Sequence, residues 1–135
     1  MKVILDTNIY ISGLIFPDSN PDKILKYAQQ GKIKVYCSPF ILEEIKKVLV
    51  IKFDYSEKMA EKFIEEILKF VEIIKPKIKL SMIKEKDDDN RILETAVTAK
   101  ADFLISGDKK HILPIGKIKR VKIISVKEFF EIYKK

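Results

Sequence analysis

Short, nearly continuous apolar segments recur along this 135-residue chain and are separated by longer stretches with helical periodicity. Because these segments do not alternate between apolar and polar residues, both faces of the sheet they form must be covered. The alternation of strands and helices predicts a three-layer α/β/α sandwich with a central parallel sheet of roughly four to five strands. The length predicts a single domain spanning residues 1–135. The predicted strands are Val3–Leu5, Val35–Cys37, Phe103–Ile105 and Val121–Ile124, with Glu72–Ile74 as a weaker candidate.

Capping residues and prolines mark the starts of three helices. Asn20-Pro21 predicts the start of a helix that runs toward Gly31, and Ser38-Pro39 predicts the start of another. The string Asp54-Tyr55-Ser56-Glu57 is typical of a capping box and predicts a long helix to about Val71.

Four acidic residues lie beside or within apolar segments, where a buried carboxylate is costly without a positive partner. We call Asp6, Glu44, Asp89 and Asp108 the acidic quartet. Asp6 and Asp108 follow strands directly, and ligands of open α/β sheets bind at the carboxyl ends of strands. We therefore expect the quartet to converge there. Oxygen donors without a histidine or cysteine cluster favour Mg²⁺ or Mn²⁺ as the bound ion.

Helical periodicity separates Glu44 from its neighbour Glu43. Glu44 lies three residues after Ile41 and four before Val48, so it shares their apolar stripe. Glu43 lies about 100° away around the helix. It faces the polar side, four residues from Lys47, and is predicted to be a solvated partner of that lysine. Glu44 is therefore predicted to point inward.

The same test distinguishes the three consecutive aspartates Asp87, Asp88 and Asp89. Asp89 lies three and four residues before Ile92 and Leu93, so it joins their apolar stripe at the start of the next helix. Asp87 and Asp88 are predicted to precede that helix, as loop or capping acids.

The formal net charge of +7 comes almost entirely from lysine. It favours a polyanionic partner such as nucleic acid, although a solubilising lysine-rich surface accounts for the charge equally well. The candidate phosphate contacts are Lys109 and Lys110, which adjoin Asp108, and the stretch Lys75–Lys86, which is predicted to be a connection. A basic surface around an acidic, metal-binding centre suits a protein that attracts and processes a phosphate backbone.

The single cysteine, Cys37, excludes an intrachain disulfide and favours a reducing compartment, so a cytoplasmic location is expected. We expect no membrane association, because no apolar segment is long enough to cross a bilayer. Asp6 interrupts the first apolar run too early for a signal peptide. His111 is the only histidine, and a surface or capping role is favoured over a role as general base.

Four motifs, which together cover nearly the whole chain, resemble those of the PIN domain family. Each motif alone is unspecific, whereas four in this order and spacing are specific. The resemblance implies a metal-dependent ribonuclease fold related to flap endonucleases, and it is closest to small prokaryotic members, many of them toxins of toxin–antitoxin pairs. The matching strings are Val3-Ile4-Leu5-Asp6-Thr7-Asn8, Ser38-Pro39-Phe40-Ile41-Leu42-Glu43-Glu44-Ile45, Asp88-Asp89-Asn90-Arg91-Ile92-Leu93 and Ala101-Asp102-Phe103-Leu104-Ile105-Ser106-Gly107-Asp108.

The resemblance implies that the acidic quartet is catalytic and holds Mg²⁺ or Mn²⁺. It implies that Asn8 orients the first aspartate and that Ser106 supports the last one. Asp88 could take the ligand role of Asp89, while Asp102 is expected to support the fold at the start of its strand. Hydrolysis by water would leave a 5′-phosphate and a 3′-hydroxyl. The expected partners are RNA, an antitoxin protein and a second copy of the chain in a homodimer.

Two other functions are compatible with parts of the sequence. The string Ile4-Leu5-Asp6-Thr7-Asn8 superficially resembles the start of a haloacid dehalogenase-type phosphatase, but that family normally has a second aspartate in place of Asn8. The other alternative is a PIN scaffold that holds RNA or protein without cutting, and the complete quartet argues against it. Capping and strand-end roles would explain Asp89 and Asp6, but not Glu44 on an apolar stripe.

Overall fold

Strands and helices alternate along the residues described by this computed structural model, 1–84 and 86–133. The strands are β1 (Lys2–Leu5), β2 (Lys34–Cys37), β3 (Val71–Ile73), β4 (Phe103–Ile105), β5 (Lys117–Ile118) and β6 (Val121–Ile124). The helices are α1 (Thr7–Ile15), α2 (Asn20–Gln29), α3 (Pro39–Lys52), α4 (Glu57–Leu68), α5 (Asp87–Ala99) and α6 (Val126–Ile132), and a 3₁₀ turn spans Leu113–Ile115. Glu85, in the Lys-rich stretch, and the last two residues lie outside the described residues.

The six strands form one sheet in the order β3-β2-β1-β4-β6-β5. β5 runs antiparallel to β6, and all other neighbouring strands are parallel. The predicted α/β fold with a mostly parallel central sheet flanked by helices is confirmed. The five parallel strands correspond to the five predicted ones, and the sixth strand is the antiparallel β5, whose two residues are too few to show a periodic pattern.

Helices cover both faces of the sheet. In β1, the consecutive residues Val3, Ile4 and Leu5 are all 0% exposed, although successive side chains of a strand point to opposite faces. β2 and β4 are also mostly buried. This is the burial that the continuous apolar segments predict. In the described part of the chain, no helix combines the length and the apolar character needed to span a membrane.

β1 and β4 lie side by side in the middle of the sheet, with Leu5 opposite Ile105. The pairing extends one residue further, because the N–H of Asp6 donates to the carbonyl of Ile105 at 3.0 Å. At the opposite end, the carboxylate of Asp102 accepts from the backbone N–H of Lys2 at 2.8 Å, which confirms its predicted supporting role. The parallel register therefore brings the residues after both strands to the same edge of the sheet.

The capping prediction locates the starts of α2 and α3 to within one residue. Ser38 caps α3 as predicted, and its hydroxyl accepts from the N–H of Ile41 at 3.3 Å. α2 is capped by Ser19 rather than Asn20, because the Ser19 hydroxyl accepts from the N–H of Asp22 at 3.3 Å. Asn20 is the first residue of the helix.

The predicted end of α4 is wrong. Ser56 caps this helix, but it ends at Leu68, and Val71 is already paired with β2 as the first residue of β3. The capping box predicted at the start of α4 is absent, since the third helical residue is a methionine. The reciprocal contact occurs instead at α6, between Ser125 and Glu128.

The connection between β3 and α5 forms no helix or strand in its described residues, as predicted for the Lys-rich stretch. Side chains of α5 hold it in place. Asn90, 0% exposed, accepts from the N–H of Ile83 at 2.9 Å and donates to its carbonyl at 2.8 Å. Glu94 accepts from the N–H of Leu80 at 2.9 Å, and Arg91 donates to the Leu80 carbonyl at 3.3 Å. α5 therefore fixes the segment that leads into it.

We predict that Asn90→Asp destabilises the protein by about 1–3 kcal/mol, measured by chemical denaturation. The carboxylate can accept from the Ile83 N–H, but it cannot donate to the Ile83 carbonyl, which it would face unpaired. Hydrogen exchange at the Ile83 amide should accelerate. The matched control is Asn20→Asp at an exposed position, where no loss is expected. Equal stability of the two variants would show that the amide does not hold the connection.

Candidate active site

The acidic quartet lines one cavity of about 260 Å³ at the carboxyl edge of the central strands. We call it the acidic cavity. Asp6 follows β1, Glu44 lies on α3, Asp89 lies in the first turn of α5, and Asp108 lies in the loop after β4. The four side chains expected to converge are therefore brought together from four separate parts of the chain.

Ser106 links the two aspartates that follow strands. It is 0% exposed, and its hydroxyl donates to Asp6 Oδ2 at 2.8 Å and accepts from the N–H of Asp108 at 3.0 Å. Asp6 occupies the capping position of α1 but makes no side-chain capping hydrogen bond, so capping does not explain it. Asn8 is exposed and lines the acidic cavity, and its role in orienting Asp6 stays a prediction.

Glu44 and Glu43 differ in exposure as the helical pattern predicts. Glu44 is half-buried and Glu43 is exposed. Thr7, which is buried directly after Asp6, donates through its hydroxyl to Glu44 Oε1 at 2.5 Å. The predicted ion pair between Glu43 and Lys47 does not occur among the described residues, and Lys47 instead lines the acidic cavity.

Asp89 has a buried carboxylate oxygen that lacks a hydrogen-bond partner among the described residues. The residue is 5% exposed, and its Oδ2 is unsatisfied within the described part of the chain. α5 begins at Asp87, so Asp87 and Asp88 lie inside its first turn and not before it as predicted. Asp88 is exposed and also lines the acidic cavity. A buried, unpaired carboxylate oxygen is costly unless a cation faces it.

A turn after Asp108 brings His111 to the acids. Asp108 Oδ1 accepts the backbone N–H groups of Lys110 and His111, both at 3.0 Å. Burial raises the pKa of the Asp108 carboxyl, but these two donors, together with the electrostatic attraction of His111 and Lys86, lower it below its ordinary 3.8. The His111 side chain is only 16% exposed, and Nδ1 lies 3.7 Å from Asp108 Oδ2 and 3.9 Å from Asp89 Oδ2. The side chain is therefore partly enclosed beside the acids, and the surface or capping role expected for this histidine stays a prediction.

The carboxyls of Asp6 and Asp89 are difficult to ionise. Burial raises the pKa of Asp6 from 3.8 to about 6; the Ser106 hydrogen bond opposes this rise, and repulsion from the other quartet members adds to it. Burial also raises the pKa of Asp89 to about 6, against the attraction of Lys86. At neutral pH the quartet is therefore a concentrated negative charge that favours uptake of a cation or of protons.

The donor set suits a hard divalent cation. Carboxylate oxygens are the ligands that Mg²⁺ and Mn²⁺ prefer, and they converge here from four elements. The unpaired Asp89 oxygen and the raised pKa values of Asp6 and Asp89 are both expected of a site whose charge a bound cation balances.

Lysines border the acids on two sides. Lys47, Lys52 and Lys86 line the acidic cavity itself, on α3 and at the start of α5. Lys86 belongs to the Lys-rich stretch that the sequence marked as a candidate phosphate contact. A basic rim around an acidic centre attracts a polyanion to the place where a cation would sit.

A second cleft, of about 650 Å³, adjoins the acidic cavity. Asn8, Lys86 and Asp108 line both spaces, so the second cleft and the acidic cavity are neighbours. Lys110 lines the second cleft, while Lys109 is exposed next to it. Of the two lysines predicted to bind substrate, Lys110 therefore has the more direct access to the acids.

The sequence profile of the PIN domain family matches residues 2–110 of this chain. The chain belongs to the PIN domain family. The resemblance inferred from the four motifs is thereby confirmed. The matched region contains all four members of the acidic quartet as well as Ser106.

Three known proteins resemble this PIN domain. MJ1680, an uncharacterized protein of Methanocaldococcus jannaschii, is 35% identical to this chain over an alignment of 147 positions. The alignment covers 100% of this chain and 93% of that protein. VapBC2 from Rickettsia felis, solved bound to a DNA fragment from its promoter, has a TM-score of 0.64 at 17% identity, covering 93% of this chain and 98% of that chain. The PIN domain endonuclease Utp24 has a TM-score of 0.56 at 19% identity, and the match covers 92% of this chain and 84% of that chain. At these identities, the two structures support the fold.

Sequence reasoning missed two residues that the structure brings to the acids, Thr7 and His111. Thr7 follows Asp6 directly within the quoted motif, and a hydroxyl next to a strand-end acid was a clue to its contact with Glu44. His111 lies three residues after Asp108, within reach of one turn. Neither residue lies in a periodic pattern, so the sequence did not predict which way its side chain points.

We predict that Asp6→Asn stabilises the metal-free protein at about pH 7.5. The folded-state pKa of about 6 exceeds the ordinary 3.8, so this carboxyl makes folding less favourable as pH rises from about 4 to above 6. One pKa unit corresponds to about 1.4 kcal/mol, which bounds the gain at about 3 kcal/mol. Chemical denaturation should show a smaller gain at about pH 4.5.

The matched control is Glu43→Gln, which neutralises an exposed acid and should give no such pH-dependent gain. Mg²⁺ should stabilise the wild-type protein more than Asp6→Asn and so reduce the difference between them. If Asp6→Asn destabilised the protein equally at both pH values, the Asp6 carboxylate would be a structural group without charge strain.

Proposed function

We propose that this PIN domain is a metal-dependent endoribonuclease that hydrolyses RNA phosphodiester bonds. The acidic quartet supplies its catalytic and metal-binding residues. The observation that carries the proposal is the buried Oδ2 of Asp89, which has no hydrogen-bond partner among the described residues and lies in a cavity lined by three further quartet carboxylates. Mg²⁺ or Mn²⁺ is the cofactor that this oxygen-rich donor set suits.

A bound divalent cation would supply a nucleophilic water at neutral pH and would stabilise charge on the scissile phosphate. The residues of the chain prepare the ligands. Ser106 holds Asp6 through its hydroxyl and holds the backbone of Asp108, while Thr7 holds Glu44. Such hydrogen bonds fix the orientation of carboxylates that would otherwise move apart by repulsion. Asn8, at the rim of the same cavity, is proposed as a further supporting residue.

Single-stranded or loop RNA is the substrate class that the surface suits. The acidic cavity and the second cleft meet at Asn8, Lys86 and Asp108, so an extended strand lying through both would pass over the quartet. Lys109 and Lys110 adjoin Asp108 and would contact phosphates on the side of the second cleft.

The competing functions account for fewer observations. Membership of the PIN domain family sets aside the haloacid dehalogenase-type phosphatase. A scaffold that binds RNA or protein without cutting has no use for an unpaired carboxylate oxygen at Asp89, and it gives no reason for the raised pKa of Asp6. Both features favour a nuclease that uses a cation.

We further propose that the nuclease is the toxin of a toxin–antitoxin pair and forms a homodimer. The structural likeness to VapBC2 supports an antitoxin partner. An apolar groove lined in part by Phe40, Val50 and Ile51 shares Glu44 and Lys47 with the acidic cavity, and a partner segment in this groove would reach the acids. A small DNA-binding protein encoded directly upstream, which forms a stable complex by light scattering, would support the pair.

The remaining parts of the proposal concern the extent and location of the protein. Residues 1–135 are proposed to form one PIN-like domain, since elements from near both ends of the chain belong to one sheet or pack on it. A cytoplasmic location is proposed, because the only cysteine, Cys37, is buried in β2 as a free thiol.

We predict that the purified protein cleaves single-stranded RNA with Mg²⁺ or Mn²⁺ and that a chelator abolishes cleavage. Glu44→Gln should lower the cleavage rate by about a hundredfold or more, because it removes one carboxylate of the quartet. Glu43→Gln is the matched control on the same helix and should retain the wild-type rate, since its side chain is exposed. Products should carry a 5′-phosphate and a 3′-hydroxyl.

Two outcomes would contradict this assignment. Cleavage that persists equally in Glu44→Gln and in the double variant Asp6→Asn with Asp108→Asn would come from a contaminating nuclease or another site. Loss of cleavage in Glu43→Gln with normal cleavage in Glu44→Gln would mean that Glu43 is the catalytic glutamate.

We predict that Lys109→Ala with Lys110→Ala weakens binding of all RNA sequences alike. Each lost phosphate contact should reduce the slope of log affinity against log salt concentration by about 0.7 for a single strand. The control pair is Lys2→Ala with Lys34→Ala, because both lysines start strands at the opposite edge of the sheet. An unchanged slope in the Lys109 and Lys110 variant would place the RNA on another face.

A further inference from the structure

His111 lies among the acids because of the turn that begins at Asp108. Asp108 Oδ1 accepts two backbone N–H groups of this turn, which leaves Oδ2 directed toward the imidazole. Nδ1 of His111 lies 3.7 Å from Asp108 Oδ2 and 3.9 Å from Asp89 Oδ2. Both distances exceed those of a hydrogen bond, so Nδ1 is close to these two carboxylate oxygens without being hydrogen-bonded to either.

The three groups have the spacing of a metal-binding set. One ligand atom from each of Asp89, Asp108 and His111 lies within 4.8 Å of the other two. Asp89 Oδ2, the oxygen 3.9 Å from His111 Nδ1, is also buried and has no hydrogen-bond partner among the described residues. Burial of an unpaired carboxylate oxygen points independently to a cation between these side chains.

We propose that His111 is a direct nitrogen ligand of the metal, together with Asp89 and Asp108. This inference rests on the proposed metal-dependent function and adds a selectivity to it. Mg²⁺ strongly prefers oxygen ligands, whereas imidazole suits transition metals. The site therefore selects a divalent transition metal, with Mn²⁺ as the representative ion, over Mg²⁺.

Pulsed electron paramagnetic resonance of bound Mn²⁺ detects a directly coordinated nitrogen. The chain contains only one histidine, so labelling histidine with ¹⁵N in the untagged protein marks His111 alone. We expect a nitrogen hyperfine coupling that changes with the ¹⁵N label and disappears in His111→Gln. The first comparison uses the wild-type protein, so it does not depend on how a variant folds.

Equilibrium titrations of the metals give a second readout. His111→Gln should weaken Mn²⁺ binding by at least about tenfold, the loss that follows removal of even an outer-shell partner of a ligand. Mg²⁺ binding should change by less than about threefold, so the preference for Mn²⁺ should largely disappear. The control Glu43→Gln removes an exposed carboxylate nearby and should leave the preference unchanged.

The outcomes separate the ligand assignment from the metal site itself. Mn²⁺ that binds the wild-type protein and is lost in Asp89→Asn, but shows no coupling to the labelled nitrogen, would overturn the role of His111 and leave the metal site standing. Mn²⁺ that fails to bind, or binds Asp89→Asn as tightly as the wild type, would overturn the metal site and the inference together.

Discussion

The candidate active site depends on the pairing of β1 with β4 in the centre of the sheet. This pairing brings Asp6 to Ser106, 100 residues later, where a 2.8 Å hydrogen bond joins the two side chains. β1 and β4 are almost entirely buried in the apolar core, and this packing holds their carboxyl ends together against the repulsion between the carboxylates that follow them. Burial and that repulsion raise the pKa of Asp6 to about 6. The core thus stabilises a group of charges that electrostatics alone would disperse.

α5 makes the second contribution, because one helix carries both a structural and a chemical role. Asn90 and Glu94 hold the preceding connection through its backbone groups, and Asp89 faces the acidic cavity from the same first turns. The connection ends at Lys86, which lines both the acidic cavity and the second cleft. The connection that leads to this lysine is therefore held at Leu80 and Ile83 by hydrogen bonds that lie outside the cavity. A change at Asn90 would alter the site without touching any of its acids.

The sequence predicts the position of a strand, helix or side chain where a local periodic pattern determines that position. The continuous apolar segments predicted a sheet that is covered on both faces. The tendency of ligands to bind at the carboxyl ends of strands predicted that Asp6 and Asp108 lie at one edge of the sheet. The apolar stripe of α3 distinguished Glu44 from Glu43. The end of α4 was mispredicted because its apolar pattern continues into β3, where pairing with β2 imposes an extended backbone. The contact of Thr7 with Glu44 joins residues 37 positions apart, and the direction of His111 depends on one turn. Such contacts arise from tertiary structure, and no local pattern specifies them.

In the proposed reaction, binding of the metal favours binding of the RNA, and binding of the RNA favours binding of the metal. The acidic quartet repels a phosphate backbone, and lysines at the rim, such as Lys47 and Lys86, offset this repulsion only from its edge. A cation among the carboxylates would reverse the charge where the scissile phosphate must lie. Because coupling between two binding sites is reciprocal, RNA must then raise the affinity for the metal by the same factor by which the metal raises the affinity for RNA. If the chain is the proposed nuclease, the charge arrangement makes RNA binding, as well as cleavage, dependent on the metal.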